Sequence, residues 1–448
     1  MSTMQIGLLY GGATFLFLFS GMPIAFALGS VALVFMFFFM PPVQLAIVAE
    51  TIFSELNSFT LLTIPLFILM GAAIGKSRAG NDLYSSLHRW LYKIPGGLGL
   101  ANTLACSVFS AMCGSSPATC SAIGSSGIPE MMKRGYSERL ATGLIAAGGT
   151  LGILIPPSLT LILYGLATEQ SIGKLFMAGV GPGLLLTGLF AAWVMFKSWL
   201  DKRTARGLAV QTDASRALLA DERYSLREQL ETLPRLLPFV GLVLIVMVAL
   251  YGGWATPSEV AGIGAFGALA MVMVLYGCWR WADMKVILAG TARESSMIMM
   301  IIATAFLFTY VMSYLHITQS AAEWLVSLGM GKWEFLTWVN VLLLVLGFFL
   351  PPVAIILMVT PVLLPALVAL DIDLIWFGVI MTINMEMGLI TPPVGLNLFV
   401  INGIVPGVRL KEIIIGVMPF LALMALGILL LCFFPDIAMW LPSQYTGA

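Results

Sequence analysis

Apolar residues run along this chain in long stretches separated by short polar segments. The stretches fall near residues 7–40, 59–75, 94–113, 140–166, 175–200, 236–254, 260–279, 295–315, 335–370, 374–404 and 413–434. Each is long enough to cross a hydrocarbon core about 30 Å thick as a helix. The alternation of a membrane β-barrel is missing, so the pattern predicts an all-α polytopic membrane protein. Residues 7–40 are too many for one straight helix and break at Gly21, Met22 and Pro23, giving either a bent helix or a pair. Composition agrees, with 60% apolar and 10% charged residues; an ordinary globular domain carries about a quarter charged.

The chain repeats. The sequence GILIPP at 152–157 returns as GLITPP at 388–393, an offset of 236 (388 − 152). At the same offset Ile128 and Pro129 fall on Leu364 and Pro365. Lys and Arg mark cytoplasmic loops, and their distribution relates the copies. Segment 76–93 has four and its mate 312–329 none; segment 131–139 has three, whereas 367–375 has none and two Asp. Equivalent loops thus lie on opposite faces, and the repeats are inverted. The expected division is a first repeat at 1–199, a cytoplasmic amphipathic linker at 200–235, a second repeat at 236–434 and a periplasmic tail at 435–448. Inverted repeats point to secondary transporters that bind near the midplane at broken helices.

Loop sign also requires residues 94–129 to enter and leave from the cytoplasm, as a re-entrant hairpin. Residues 333–365 do the same from outside, turning around 347–352. Broken helices are expected at 138–170 and 374–405. Two successive prolines free several backbone carbonyls, and carbonyls at the end of a half-helix suit a hard monovalent cation. One Na⁺ is accordingly expected at Gly152, Ile155 and Pro157, with Ser115 and Ser116 from the first hairpin tip. A second is expected at Gly388, Thr391 and Pro393, facing Leu350 and Pro351. Ser115, Ser116, Ser158, Thr160 and Asn397 are candidates to line a substrate cavity, since hydroxyls, amides and half-helix N-termini suit a carboxylate. Asn384 and Glu386 lie within a span, in a structural or coupling role; an intramembrane acid is costly and a functional candidate by default.

Other chemistry is poorly supported. Cys106, Cys113, Cys120, Cys278 and Cys432 lie in apolar stretches and read as packing residues. With His88 and His316 as the only histidines, no zinc or haem ligand cluster forms. Na⁺ is the only metal expected, and no cofactor. Residues 1–6 lack the basic region of a signal peptide. There is no phosphate-binding P-loop, so uphill transport must draw on an ion gradient or another chain. Residues 124–127, GSSG, match an intramembrane serine protease pattern, but His88 falls in a cytoplasmic loop and His316 at an external end. A non-enzyme is expected.

Residues 114–159, 384–405 and 256–260 resemble the large membrane subunit of tripartite ATP-independent periplasmic (TRAP) transporters, over nearly the whole chain. The resemblance implies a bacterial inner-membrane protein working as a sodium-coupled elevator, its hairpins and broken helices sliding within a scaffold. It implies a separate small four-helix membrane subunit, a periplasmic substrate-binding protein and a small organic acid as substrate. The chain departs from the family at Leu350, Pro351 and Pro352, where an acidic residue is often found, and at Cys120, where a smaller one is usual. The alternative is a stand-alone ion-coupled carboxylate transporter of related architecture, without a binding protein. On this topology all of the 22 Lys and Arg except Lys174 and Lys332 are cytoplasmic, so a net charge of zero conceals strong polarisation.

Overall fold

A computed structural model describes residues 1–207 and 224–444. The middle of the expected linker, 208–223, and the end of the expected tail, 445–448, lie outside the described residues. Among those described there are helices and no strands. Seven helices are long and apolar enough to cross a membrane, and a pair bent by 41° makes an eighth span.

Residues 7–40 form two helices, Thr3–Phe19 and Ile24–Phe39. Gly21 takes φ +83° between them, and Pro23 caps the second. Two segments read as loops are helices: Ala79–Leu91 within 76–93 and Ile317–Ser327 within 312–329. Both mix polar and apolar residues, so hydropathy alone marks them as loops. The first repeat's expected end at 199 falls inside the helix Ile172–Gly207. That helix is about 54 Å long at 1.5 Å per residue, and the ion pair Lys197–Asp201 at 2.9 Å supports its extension past the apolar run. The first part of the tail forms the helix Asp436–Ser443, which packs on Ile172–Gly207.

The first hairpin has arms Gly97–Cys113 and Ser116–Lys133, four residues longer than expected (133 − 129), with Pro129 inside the second arm. The first broken helix comprises Glu138–Leu154 and Leu159–Thr168. The second hairpin has arms Lys332–Gly347 and Pro352–Ala369, and the second broken helix comprises Leu374–Leu389 and Leu396–Ile404. Each of these helices starts within one residue of its partner's position plus 236. The copies interlock. The second half of the first broken helix, Leu159–Thr168, packs on the second hairpin's Pro352–Ala369 arm. Reciprocally, Leu396–Ile404 packs on the first hairpin's Ser116–Lys133 arm.

Around this body stand Ile24–Phe39, Thr63–Lys76, Leu233–Tyr251, Pro257–Tyr276 and Trp281–Tyr314. Thr256 starts one of them with a capping box, accepting from Glu259 N while Glu259 Oε2 accepts from Thr256 N at 2.7 Å. This satisfies helix-end donors and gives residues 256–260 a structural role. Ser258 then ties two spans together, bonding Thr63 Oγ1 at 2.8 Å and donating to Phe59 O at 3.0 Å.

Candidate functional site

Both helix breaks lie against a hairpin tip, and glycine lets the backbones approach. A Cβ on Gly152 would lie 3.1 Å from the Ser115 carbonyl oxygen and 3.2 Å from Thr119 Oγ1. A Cβ on Gly388 would lie 2.6 Å from the Gly347 carbonyl oxygen. Both Pro–Pro bonds, 156–157 and 392–393, are cis.

At the first break the tip turns at Gly114, φ +60°, where a Cβ would come within 3.3 Å of the Pro157 carbonyl oxygen. Ser115, Gly152 and Pro157 are thus brought together. Thr119 joins them, its hydroxyl donating to Ser115 O at 3.0 Å and receiving a long contact from Ser110 Oγ at 3.4 Å. Ile155 ends the first half-helix and turns its side chain toward Gly183. Ser158 bridges the break: it is fully buried, donates to the Ile153 carbonyl and accepts from Leu161 N at 3.3 Å. Thr160 is buried in the first turn of the second half. The end of one half-helix and the start of the other therefore present opposite ends of the helix dipole.

The second break is more exposed than the first. Gly388 meets Gly347 rather than Leu350 or Pro351. Leu350 and Pro351 are half-buried in the turn, and Pro393 is exposed. Thr391 Oγ1 donates to Met387 O at 2.6 Å. One turn earlier Asn384 Nδ2 donates to Asn340 O at 3.0 Å and to Asn340 Oδ1 at 2.7 Å. Asn384 Oδ1 is buried without a partner. Asn340 is a lone amide within the second hairpin's apolar arm, and that isolation is the signal the sequence carries for it.

The repeats meet in a buried polar cluster. Asn397 Nδ2 donates to Ser116 Oγ at 2.8 Å and to Ala146 O at 3.2 Å. Glu386, 1% exposed, has no hydrogen-bond partner for either carboxylate oxygen, although the Ser116 hydroxyl lies beside it. Cys120 packs over Gly149 here, and Cys106 over Gly148; both cysteines are free and buried.

A cavity of about 480 Å³ opens between the first hairpin and the surrounding helices, within the usual range for small-molecule sites. Ser115, Ser121 and Ser125 line it from the hairpin, Arg78 and Asn81 from the adjoining turn and helix, and Glu294 from Trp281–Tyr314. Of these only Ser115 is a sequence candidate. Ser116, Ser158, Thr160 and Asn397 do not line it. Arg78 and Asn81 lie in a segment whose charges the sequence reading used only for topology. A second cavity of about 510 Å³ is almost wholly apolar, between Thr3–Phe19 and the second hairpin, and suits hydrocarbon better than an acid. His88 and Ser126 share a third cavity, which the loop reading of 76–93 did not anticipate, and Ser126 donates to Asn81.

The model of the family described as tripartite ATP-independent periplasmic transporter, DctM component, matches residues 12–437. The C4-dicarboxylate TRAP transporter large permease protein DctM of Pseudomonas aeruginosa is 38% identical over 395 residues, 88% of this chain and 89% of that protein. The isethionate TRAP transporter permease protein DctMQ of Oleidesulfovibrio alaskensis is 34% identical over 95% of this chain but only 64% of its own length. Among solved structures, the YdaH transporter of Alcanivorax borkumensis superposes with a TM-score of 0.65 at 15% identity, covering 97% of this chain and 100% of that one. It shares the fold.

Proposed function

The chain belongs to the DctM component family of tripartite ATP-independent periplasmic transporters, and from that premise we propose Na⁺-driven import of a small organic acid. The carrying observation is the pair of glycine-mediated contacts between helix break and hairpin tip. One Na⁺ is held at the first break by oxygens of Ser115, Thr119, Gly152 and Pro157. Another is held at the second by oxygens around Gly388, Thr391 and Asn384. Cation binding draws each tip onto its break, completing the hairpin surface that the acid contacts. The acid sits in the cavity lined by Ser115, Ser121, Ser125 and Asn81, with Arg78 and Lys76 as cationic groups on its lining and Glu294 as an acidic one. Hydroxyl and amide donors with a guanidinium and an ammonium match a carboxylate. C4-dicarboxylates, named for the Pseudomonas relative, are the first substrates to try.

The transport body consists of the two interlocked hairpins and broken helices, and it slides as an elevator within the surrounding helices. Neutralising the substrate's charge with bound Na⁺ lowers the cost of carrying it through hydrocarbon. A periplasmic binding protein delivers the acid, and a small membrane subunit completes the permease in the bacterial inner membrane. The additional length of the DctMQ relative is consistent with such a subunit joined to the large one. The test is reconstitution of both membrane subunits with the binding protein and a radiolabelled C4-dicarboxylate. Uptake requiring an inward Na⁺ gradient and the binding protein supports the reading; uptake indifferent to Na⁺ rejects the coupling, and uptake without the binding protein favours the stand-alone alternative.

A further inference from the structure

Glu386 stands apart from both helix breaks. Two residues along a helix rotate a side chain by about 200°, so Glu386 points away from the face on which Gly388 meets the second hairpin. It points to the first hairpin instead, beside Ser116. Among the described residues no Lys, Arg or His pairs with its carboxylate, and neither oxygen has a hydrogen-bond partner.

The neighbouring groups supply oxygen, not compensating charge. Asn397 is fully buried and uses its Nδ2 on Ser116 Oγ at 2.8 Å and on Ala146 O at 3.2 Å, which leaves Oδ1 without a partner. Three unpartnered oxygens, two on Glu386 and one on Asn397, thus gather around the hydroxyl of one fully buried serine. The N-terminus of the 18-residue hairpin arm at Ser116 contributes about half a positive charge at most. A carboxylate that stays ionised at bilayer depth needs a whole one. A single carboxylate with an amide oxygen and a hydroxyl is a hard, singly charged donor set; no group of three His, Cys, Asp or Glu for a transition metal exists among the described residues.

We propose that Glu386, Asn397 and Ser116 form a further Na⁺ seat, distinct from the two at the helix breaks. It rests on the Na⁺-driven reading above and adds to it. Because Ser116 belongs to the first hairpin and the other two residues to the second broken helix, an ion held there fastens one repeat to the other. Its occupancy makes the interlocked body move as a unit. The site at each break closes a tip; this seat joins the halves.

The purified full-length chain is titrated with NaCl, with choline chloride holding ionic strength constant, and its thermal unfolding midpoint is followed. The slope of stabilisation against the logarithm of Na⁺ concentration counts ions bound to the folded state. Glu386→Gln keeps the shape and removes the charge, and its slope is expected to fall by one ion. Asn397→Ala keeps the carboxylate and is expected to raise the half-saturating Na⁺ concentration about tenfold. Equal slopes for wild type and Glu386→Gln overturn the seat whatever uptake does. Should Glu386→Gln fail to fold, an unchanged half-saturation in Asn397→Ala overturns it. Na⁺ stabilisation lost in Glu386→Gln, alongside wild-type uptake that ignores Na⁺, retains the seat and rejects the coupling instead.

Discussion

Adding one methyl group at each helix break should have unequal consequences. A Cβ at Gly388 lies 2.6 Å from the carbonyl oxygen, carbonyl carbon and Cα of Gly347, 0.8 Å inside the 3.4 Å at which ordinary contact begins (3.4 − 2.6). All three atoms are backbone, so the second tip must retreat as a piece. Overpacking of this kind costs about 1–3 kcal/mol, a shift of about 5- to 160-fold in the closed-to-open ratio of that tip. A Cβ at Gly152 lies 3.1 Å from the Ser115 oxygen and 3.2 Å from Thr119 Oγ1, a deficit of only 0.3 Å (3.4 − 3.1) that a small tip movement relieves. Gly388→Ala should therefore raise the Na⁺ concentration for half-maximal uptake at least several-fold more than Gly152→Ala. The assay is initial uptake rate against Na⁺ concentration for wild type and both variants, with thermal unfolding as a check on folding. Equal effects, or a Gly388→Ala variant indistinguishable from wild type, would refute the reasoning.

Arg78→Ala should raise the substrate concentration for half-maximal uptake while leaving its Na⁺ dependence intact, measured in proteoliposomes, because Arg78 lines the proposed substrate cavity and not the helix breaks. Asn340→Leu removes the Oδ1 acceptor of Asn384 Nδ2 and keeps the main-chain carbonyl; losing that one buried hydrogen bond costs about 0.5–1.5 kcal/mol, visible as a lower unfolding midpoint. A double-mutant cycle on Thr63→Ala and Ser258→Ala should give a coupling of about 0.5–1.5 kcal/mol for their buried 2.8 Å bond, with Na⁺ dependence unaltered.

Much of the fold is legible because membrane burial constrains sequence severely. A polar, small-residue segment at bilayer depth, such as residues 113–124, has few structural options, and Pro-Pro in mid-span leaves carbonyls unbonded. The first tip follows from this, with Ser115 beside Gly152. The second tip is less legible: its contact point is Gly347, three residues before Leu350, because backbone approach depends on which residue lacks a Cβ rather than on where the prolines stand. Ser158 and Asn397 have the right chemistry for a cavity, yet the Ser158 hydroxyl and the Asn397 Nδ2 are spent on internal hydrogen bonds. Whether a hydroxyl faces inward or outward depends on helix rotation, which an almost uniformly apolar sequence does not encode. The helix Ala79–Leu91 is hidden in the sequence for a related reason. Its polar face looks like a loop in an averaged hydropathy, and that helix brings Asn81 to the cavity.

The central claim is that Na⁺ drives this chain, and the most direct measurement is uptake of a labelled C4-dicarboxylate into proteoliposomes holding both membrane subunits, with the binding protein present and the Na⁺ gradient set independently of membrane potential. The account predicts accumulation above equilibrium only with Na⁺ outside, reversing into efflux when the gradient is inverted. Accumulation of equal extent with choline in place of Na⁺ would contradict it.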